Sequence, residues 1–368
     1  MYATRIERLS QALAASGFDA LALNPGPSLA YLTGLHFHLM ERPTVLLVAA
    51  GQTPALVLAN LEMGKAHSCE LPLQTFPFGD NPALWQQSFN QAVQALGLNG
   101  KRIGVEPNRM RFLELSYLQQ AAPQARFESA EGLLNSARMQ KDEQEVAAMR
   151  RAVQIAQQAL LATLPTVRAG VTEKTIAAEL FLQLLKAGSD TEVPFMPIVA
   201  GGPNSANPHA APSDRPLQEG DLLVIDWGAR YQGYCSDLTR TFAIGEVEPE
   251  LKRIVEVTGQ ANAAGRAASG PEVTAGSVDA AARAVIEAAG YGPQFFHRVG
   301  HGLGLEEHEP PYMFGENQLV LLPGMSYTVE PGIYLAGRGG VRIEDNVVIT
   351  ASGAETLSDL PRELIQLG

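Results

Sequence analysis

At 368 residues and 46% hydrophobic composition, the chain is long enough for two domains, each with its own core. A formal net charge of -12, with no basic stripe and no long run of like charges, argues against a nucleic-acid or anionic-membrane surface. No stretch is as long and apolar as a membrane span, the start MYATRIERLSQALAASGFDA lacks a signal-peptide apolar run, and Cys69 and Cys235 are too few for a disulfide framework, so a cytoplasmic protein is expected.

Along the first 130 or so residues, helical and extended patterns alternate. A helix near residues 4-16 precedes the apolar runs DALALN, TVLLVAA and PALVLAN, then come a helix near 82-96, the strand RIGVEP and a helix near 111-122. This order predicts a small α/β domain. The segment ESAEGLLNSARMQKDEQ is polar and lacks strand alternation, which places the domain boundary near residue 135, giving domains 1-135 and 136-368. Beyond it, Val146, Met149, Val153, Ala156 and Leu160 recur at helical spacing and predict one buried stripe. Thr172 is a candidate N-cap, followed by Glu173 in the first turn and by Ile176, Leu180 and Leu184 on one face. Two more helices are expected over 249-267 and 275-289. Helix pairs followed by strands suggest two similar halves around one sheet, an α+β core with a site between them.

Into this frame the chain sets four acids and a histidine: Asp226 in LLVIDWG, Asp237 in YCSDLTR, His301 in VGHGLG, Glu330 in YTVEPGIY and Glu344 in VRIEDN. Carboxylates in such apolar surroundings are costly unless a cation offsets them, and no nearby lysine or arginine cluster is evident. Two divalent cations would balance four negative charges, with the imidazole as a neutral fifth ligand. LLVIDWG reads as a central strand and YQGYCSDLTRTFAIG as its return partner, a hairpin that brings Asp226 and Asp237 together. EPGIYLAGRGGVRIE repeats the device around a GRGG turn, and Arg342, two residues from Glu344, points at the same cavity.

Each piece alone has a plainer reading. A single Asp at a strand end is usually a turn or cap residue, Glu-Pro-Gly is usually a turn, and His209 and His308 in loop-like sequence read equally well as surface histidines. Cys235 reads as a packed thiol beside hard oxygen ligands. His297 and His301 have the spacing of a helical zinc pair, but Gly300, Gly302 and Gly304 make a helix improbable and suit backbone packed closely against a ligand.

Taken in order, PHAAPSDRP, VIDWGARYQGYCSDLTRTF, FFHRVGHGLGLEEHEPP, SYTVEPGIY and GGVRIEDNVVIT closely resemble the pita-bread metallopeptidases, and within them the Xaa-Pro peptidases, prolidase and aminopeptidase P. The N-terminal YLTGLHFHLMERPTVLLV resembles their creatinase-type domain, so the likeness spans the chain. It implies a C-terminal pita-bread domain behind a smaller α/β domain, with Asp226, Asp237, His301, Glu330 and Glu344 as metal ligands. By the same resemblance, two divalent ions (manganese, cobalt or zinc), bridged by Asp237 and Glu344, would hold one water as hydroxide over the scissile carbonyl. Glu330 would pass its proton to the leaving proline nitrogen, and His308 would donate to the carbonyl oxygen. His209 and His297 would shape the proline pocket, and Tyr334 and Arg342 would orient ligands. The implied partners are proline-containing peptides and a second copy of the chain as a homodimer. Arg298 and Val299 after His297, and Ala210 after His209, depart from the family habit and bear on substrate range. A creatine-splitting relative should have lost ligands, and methionine aminopeptidases normally lack the N-terminal domain. The alternative from another class is an inactive or non-peptidase pita-bread protein acting as a binding module.

Overall fold

The computed structural model describes residues 1–368, which divide into two compact units, Met1–Arg138 and Met139–Gly368. In the first unit, helices α1 (Tyr2–Ser16), α2 (Pro27–Thr33), α3 (Met63–His67), α4 (Trp85–Ala95), α5 (Phe112–Ala121) and α6 (Glu131–Met139) intersperse six strands. These are β1 (Ala20–Leu23), β2 (Val45–Ala49), β3 (Ala55–Ala59), β4 (Gln74–Phe78), β5 (Arg102–Val105) and β6 (Arg126–Ser129). They form one mixed sheet in the order β4-β3-β2-β1-β5-β6. The uninterrupted burial of β1, β2 and β3 explains why their sequences are apolar without alternation. Phe89 and Leu118, from α4 and α5, close the core on this sheet. The two edge strands carry no comparable apolar run: β4 contains Pro77, which an edge tolerates, and β6 is polar and half exposed. Sequence pattern therefore found the interior strands and passed over the edges.

The second unit opens with α7 (Glu143–Thr163), started by a capping box in which Asp142 and Glu145 satisfy each other's backbone donors. Met149, Val153, Ala156 and Leu160 are buried as their spacing predicts, while Val146 at the first turn is only half-buried. On α8 (Glu173–Lys186) the Thr172 hydroxyl accepts from the Thr175 amide as the expected cap, and Ile176, Leu180 and Leu184 are fully buried. Strands β7 (Ile198–Gly201), β8 (Leu222–Trp227), β9 (Arg230–Tyr231), β10 (Tyr234–Cys235) and β11 (Leu238–Ile244) follow. Helices α9 (Pro249–Ala267) and α10 (Ala275–Ala288) then precede β12 (Gly300–Gly302), β13 (Glu309–Met313), β14 (Ser326–Val329), β15 (Gly332–Leu335), β16 (Gly339–Arg342), β17 (Asp345–Thr350), β18 (Gly353–Thr356) and β19 (Ile365–Leu367).

The expected single sheet is instead two. One has the order β19-β11-β8-β7 and the other β13-β12-β14-β17-β18, with β9-β10 and β15-β16 as separate ribbons. An isolated bridge, Thr239 to Glu344, joins the first sheet to the strand entering the second. Side chains from α9 and α10, among them Ile254, Ala261, Val278 and Ala282, form one core with Tyr327, Val329, Val347 and Ile349 of the second sheet. The glycines around His301 also need a correction. A Cβ on Gly300 would lie 1.9 Å from the Thr328 carbonyl oxygen, and one on Gly302 would lie 2.4 Å from Pro310, so these residues admit neighbouring backbone rather than a ligand.

Because that contact is with backbone, Gly300→Ala is expected to push β12 away from β14 and to cost about 1–3 kcal/mol by overpacking. Thermal unfolding followed by circular dichroism should show a lower midpoint than the parent protein, and equal midpoints would contradict the close approach.

Candidate metal centre

Each acid reaches the centre by a distinct local device. Asp226 sits near the end of β8 opposite Thr239, while Asp237 lies just before β11 begins. Between them the chain makes the small β9-β10 ribbon, whose turn residues Gln232 and Gly233 both have positive φ, as a tight hairpin requires. The hairpin expected here therefore exists, with an extra ribbon at its tip. Glu330 follows β14 directly, and the β15-β16 hairpin pairs Gly332 with Arg342 before the chain returns to Glu344. His301 is the middle residue of β12.

These residues converge. Asp226, Asp237 and Glu344 offer ligand atoms within 4.8 Å of one another, as do His301, Glu330 and Glu344, and likewise Asp237, His301 and His308. Glu344, Asp237 and His301 each belong to two of these groups, and of the three only the carboxylates have two oxygens with which to bridge a pair of ions. Burial and then the charges of Glu344, Asp226 and Glu330 hold Asp237 well above the ordinary carboxylate range. Glu344 is raised by burial and by Glu330 and Asp226, and Glu330 is pushed up to about 7 by burial, with Arg342 opposing. Asp226 Oδ1 and Asp237 Oδ1 are buried with no hydrogen-bond donor in the chain. Hard anionic oxygens of this kind, crowded and undonated, fit divalent cations. The imidazole fits too: His301 Nδ1 lies 3.1 Å from its acceptor, the Gly302 carbonyl, leaving Nε2 as the lone-pair nitrogen, 3.3 Å from Glu330 and 3.6 Å from Asp237. Burial lowers the His301 pKa well below the usual histidine value, which keeps the ring neutral.

Arg342, expected to point at the same cavity as Glu344, lines it and offsets part of the acids' charge. Its guanidinium donates to Asp226 Oδ2, to the Thr239 hydroxyl and to Tyr334 Oη, and Thr239 in turn donates to Glu344 at 2.6 Å. Tyr334 Oη is also 3.1 Å from His297 Nε2, while His297 Nδ1 is 2.7 Å from the Arg298 carbonyl. Both ring nitrogens of His297 are thus engaged inside the chain. The ring lines the cavity but is tied to Tyr334, with Phe296 packed beside both. His209 and His308 stand exposed at the rim, and the His308 ring centre is 3.7 Å from that of His301. The cavity has a volume of about 410 Å³ and is lined by Phe195, Ile198, Phe296, Arg298, Glu307 and the acids already named, among others.

Sequence reading missed the groups that hold this centre from behind. Asn262 on α9 donates to the carbonyls of Val329 and Ile343, the residues preceding Glu330 and Glu344. Asn346 accepts from the Asp237 amide and donates to its carbonyl. Arg240 donates to the Glu344 carbonyl and to buried Asp345, whose pKa burial would raise but which Arg240 and Arg362 pull down to about 2. Glu173, expected only to favour a helix start, is fully buried and accepts from Gly201, Asn204 and Ser213, fixing the loop that carries His209. The motif letters around these residues offer no signal, because their partners lie 28 or more residues away.

Comparison with known proteins agrees with this architecture. Residues 147–351 match metallopeptidase family M24, and residues 5–140 match the creatinase/prolidase N-terminal domain. The chain is 35% identical to the putative dipeptidase YkvY of Bacillus subtilis, covering 99% of each, and 32% identical to the Xaa-Pro dipeptidase of Pyrococcus horikoshii, covering 98% of each. It superposes on the crystal structure of the prolidase from Thermococcus sibiricus with a TM-score of 0.93 at 31% identity, over 100% of this chain and 99% of that one. No helix is long and apolar enough to cross a membrane. The chain therefore belongs to metallopeptidase family M24, with a pita-bread unit that follows a creatinase/prolidase-type N-terminal domain in sequence.

Proposed function

We propose that this chain is a two-metal hydrolase that cleaves the bond between an N-terminal residue and proline. The observation that carries the reading is the sharing of Glu344 between two ligand groups, one with Asp226 and Asp237 and one with His301 and Glu330. Relatives named Xaa-Pro dipeptidase and prolidase, matching over nearly the whole chain, support the substrate class. Two divalent cations, manganese, cobalt or zinc, would supply an activated water and polarise the scissile carbonyl. Asp226, Asp237, His301, Glu330 and Glu344 would hold them.

The remaining chemistry belongs to the side chains. Glu330, whose Oε1 accepts from Thr328 at 3.0 Å, takes the proton of the attacking water and returns it to the proline nitrogen as that bond breaks. That delivery matters because the nitrogen of an Xaa-Pro bond carries no hydrogen of its own. His308, at the rim above His301, donates to the developing oxyanion. Phe296 and His297 offer flat faces to the proline ring, and Tyr334, fixed between Arg342 and His297, sets the orientation of that wall. His297 thus serves the proline pocket through packing and through Tyr334, and His209 closes its rim. By family resemblance the working form is a homodimer, and two unpaired cysteines suit a reducing cytoplasm.

Protein stripped with chelator should be inactive, and reloading with manganese, cobalt or zinc should restore hydrolysis of Xaa-Pro substrates. Xaa-Pro dipeptides and Xaa-Pro-Yaa tripeptides assayed side by side give the preferred length; no turnover of either with any of the metals would overturn the reading. Glu330→Gln should lower kcat by about 10²- to 10⁴-fold, the range of a positioned acid–base group. Metal content measured in parallel separates loss of an ion from loss of the proton acceptor, and undiminished kcat in the metal-replete variant would refute the proton role.

A further inference from the structure

Among the acids lining the cavity, Glu307 alone joins none of the groups of converging ligand atoms. Its position is nonetheless built. The segment it occupies is pinned by the buried ion pair of Lys141 with Glu309, 2.6 Å apart, and a Cβ on Gly304 would fall within 2.8 Å of both partners. The Gly304 carbonyl accepts from the Cys235 amide, tying the same segment to the ribbon that leads into Asp237. Held this way, the Glu307 side chain keeps about a third of its surface accessible (33%), and the nearest basic atom is His308 Nε2 at 3.5 Å. No hydrogen-bond donor in the chain is spent on its carboxylate, whereas the equally pinned Glu309 has Lys141.

The surroundings define what such a carboxylate can receive. Ile198, the strand partner of Asp226, and Phe195 line the same cavity and offer apolar surface. The α-ammonium of a substrate's first residue is only a bond or two from the scissile carbonyl, so it stays beside the ligand acids. Glu307 neighbours those acids without joining the converging ligand atoms, and the far end of a long side chain lying along Phe195 and Ile198 would reach it. Lys and Arg combine an apolar stem with a cationic head and so match a surface of this composition.

Resting on the Xaa-Pro reading above, we propose that Glu307 is a specificity-determining residue that accepts the cationic side chain of the residue before proline. The cavity then prefers Lys-Pro and Arg-Pro to substrates of equal length without the charge.

Metal-loaded wild-type protein and Glu307→Gln are compared on Lys-Pro and norleucyl-Pro, which differ in the terminal ammonium. In the wild type kcat/KM should favour Lys-Pro by roughly fivefold, carried by KM, and the ratio should fall to about one in the variant, as for a partly exposed charge pair. A ratio unchanged by the substitution overturns the proposal, and so does a loss shared equally by both substrates, which is the mark of a merely structural residue. Calorimetric titration with free lysine and with norleucine gives a readout independent of turnover. Tighter lysine binding that disappears in Glu307→Gln supports the subsite even if no Xaa-Pro bond is cleaved, in which case the peptidase reading alone falls. Cleavage without discrimination removes the subsite and leaves the peptidase reading standing.

Discussion

Mutual repulsion among Asp226, Asp237, Glu330 and Glu344 is the constraint around which the second unit is organised. Their oxygens lie within the same few ångströms, and at about 4 Å with an effective dielectric constant near 20 each like-charged pair costs on the order of 4 kcal/mol. Burial compounds the cost, as the raised pKa values of Asp237, Glu330 and Glu344 record. A fold that keeps such a group together must restrain it mechanically. Much of that restraint acts through backbone: Asn262 grips the carbonyls just before Glu330 and Glu344, Asn346 holds the amide and carbonyl of Asp237, and Arg240 clamps the Glu344 carbonyl while pairing with Asp345.

Arg342 is the one guanidinium inside the group, and its placement has two consequences. Bonded to Asp226, it relieves part of the repulsion without occupying the Oδ1 atoms that remain undonated on Asp226 and Asp237. Through Tyr334 it also fixes His297, so the charge balance of the acids and the shape of the aromatic wall depend on the same side chain. That coupling links electrostatics to the shape of the cavity: a change at the arginine reaches the acids and the aromatic wall together.

What could be read from sequence follows from how local each signal is. The interior strands β1, β2, β3 and β8 announce themselves through unbroken apolar runs and the helices α7 and α8 through apolar periodicity, each within one element, and the acids stand out because they interrupt such runs. The edge strands β4 and β6 were invisible because edges bury too little to need an apolar pattern. Gly300 and Gly302 are legible as close-approach residues, but the approaching atoms belong to Thr328 and Pro310, which pairing across the sheet alone can reveal. The same limit hid Glu173, Asn262 and Asn346, whose roles rest on partners distant in the chain.

Holding two cations is the role we propose for these acids. Anomalous scattering from crystals equilibrated with manganese tests it directly. Two peaks are expected within the cavity, one among Asp226, Asp237 and Glu344 and the other among His301, Glu330 and Glu344, with Glu344 touching both. Crystals that show no ordered manganese in this cavity, or a single ion that leaves either group without density at saturating metal, would contradict it.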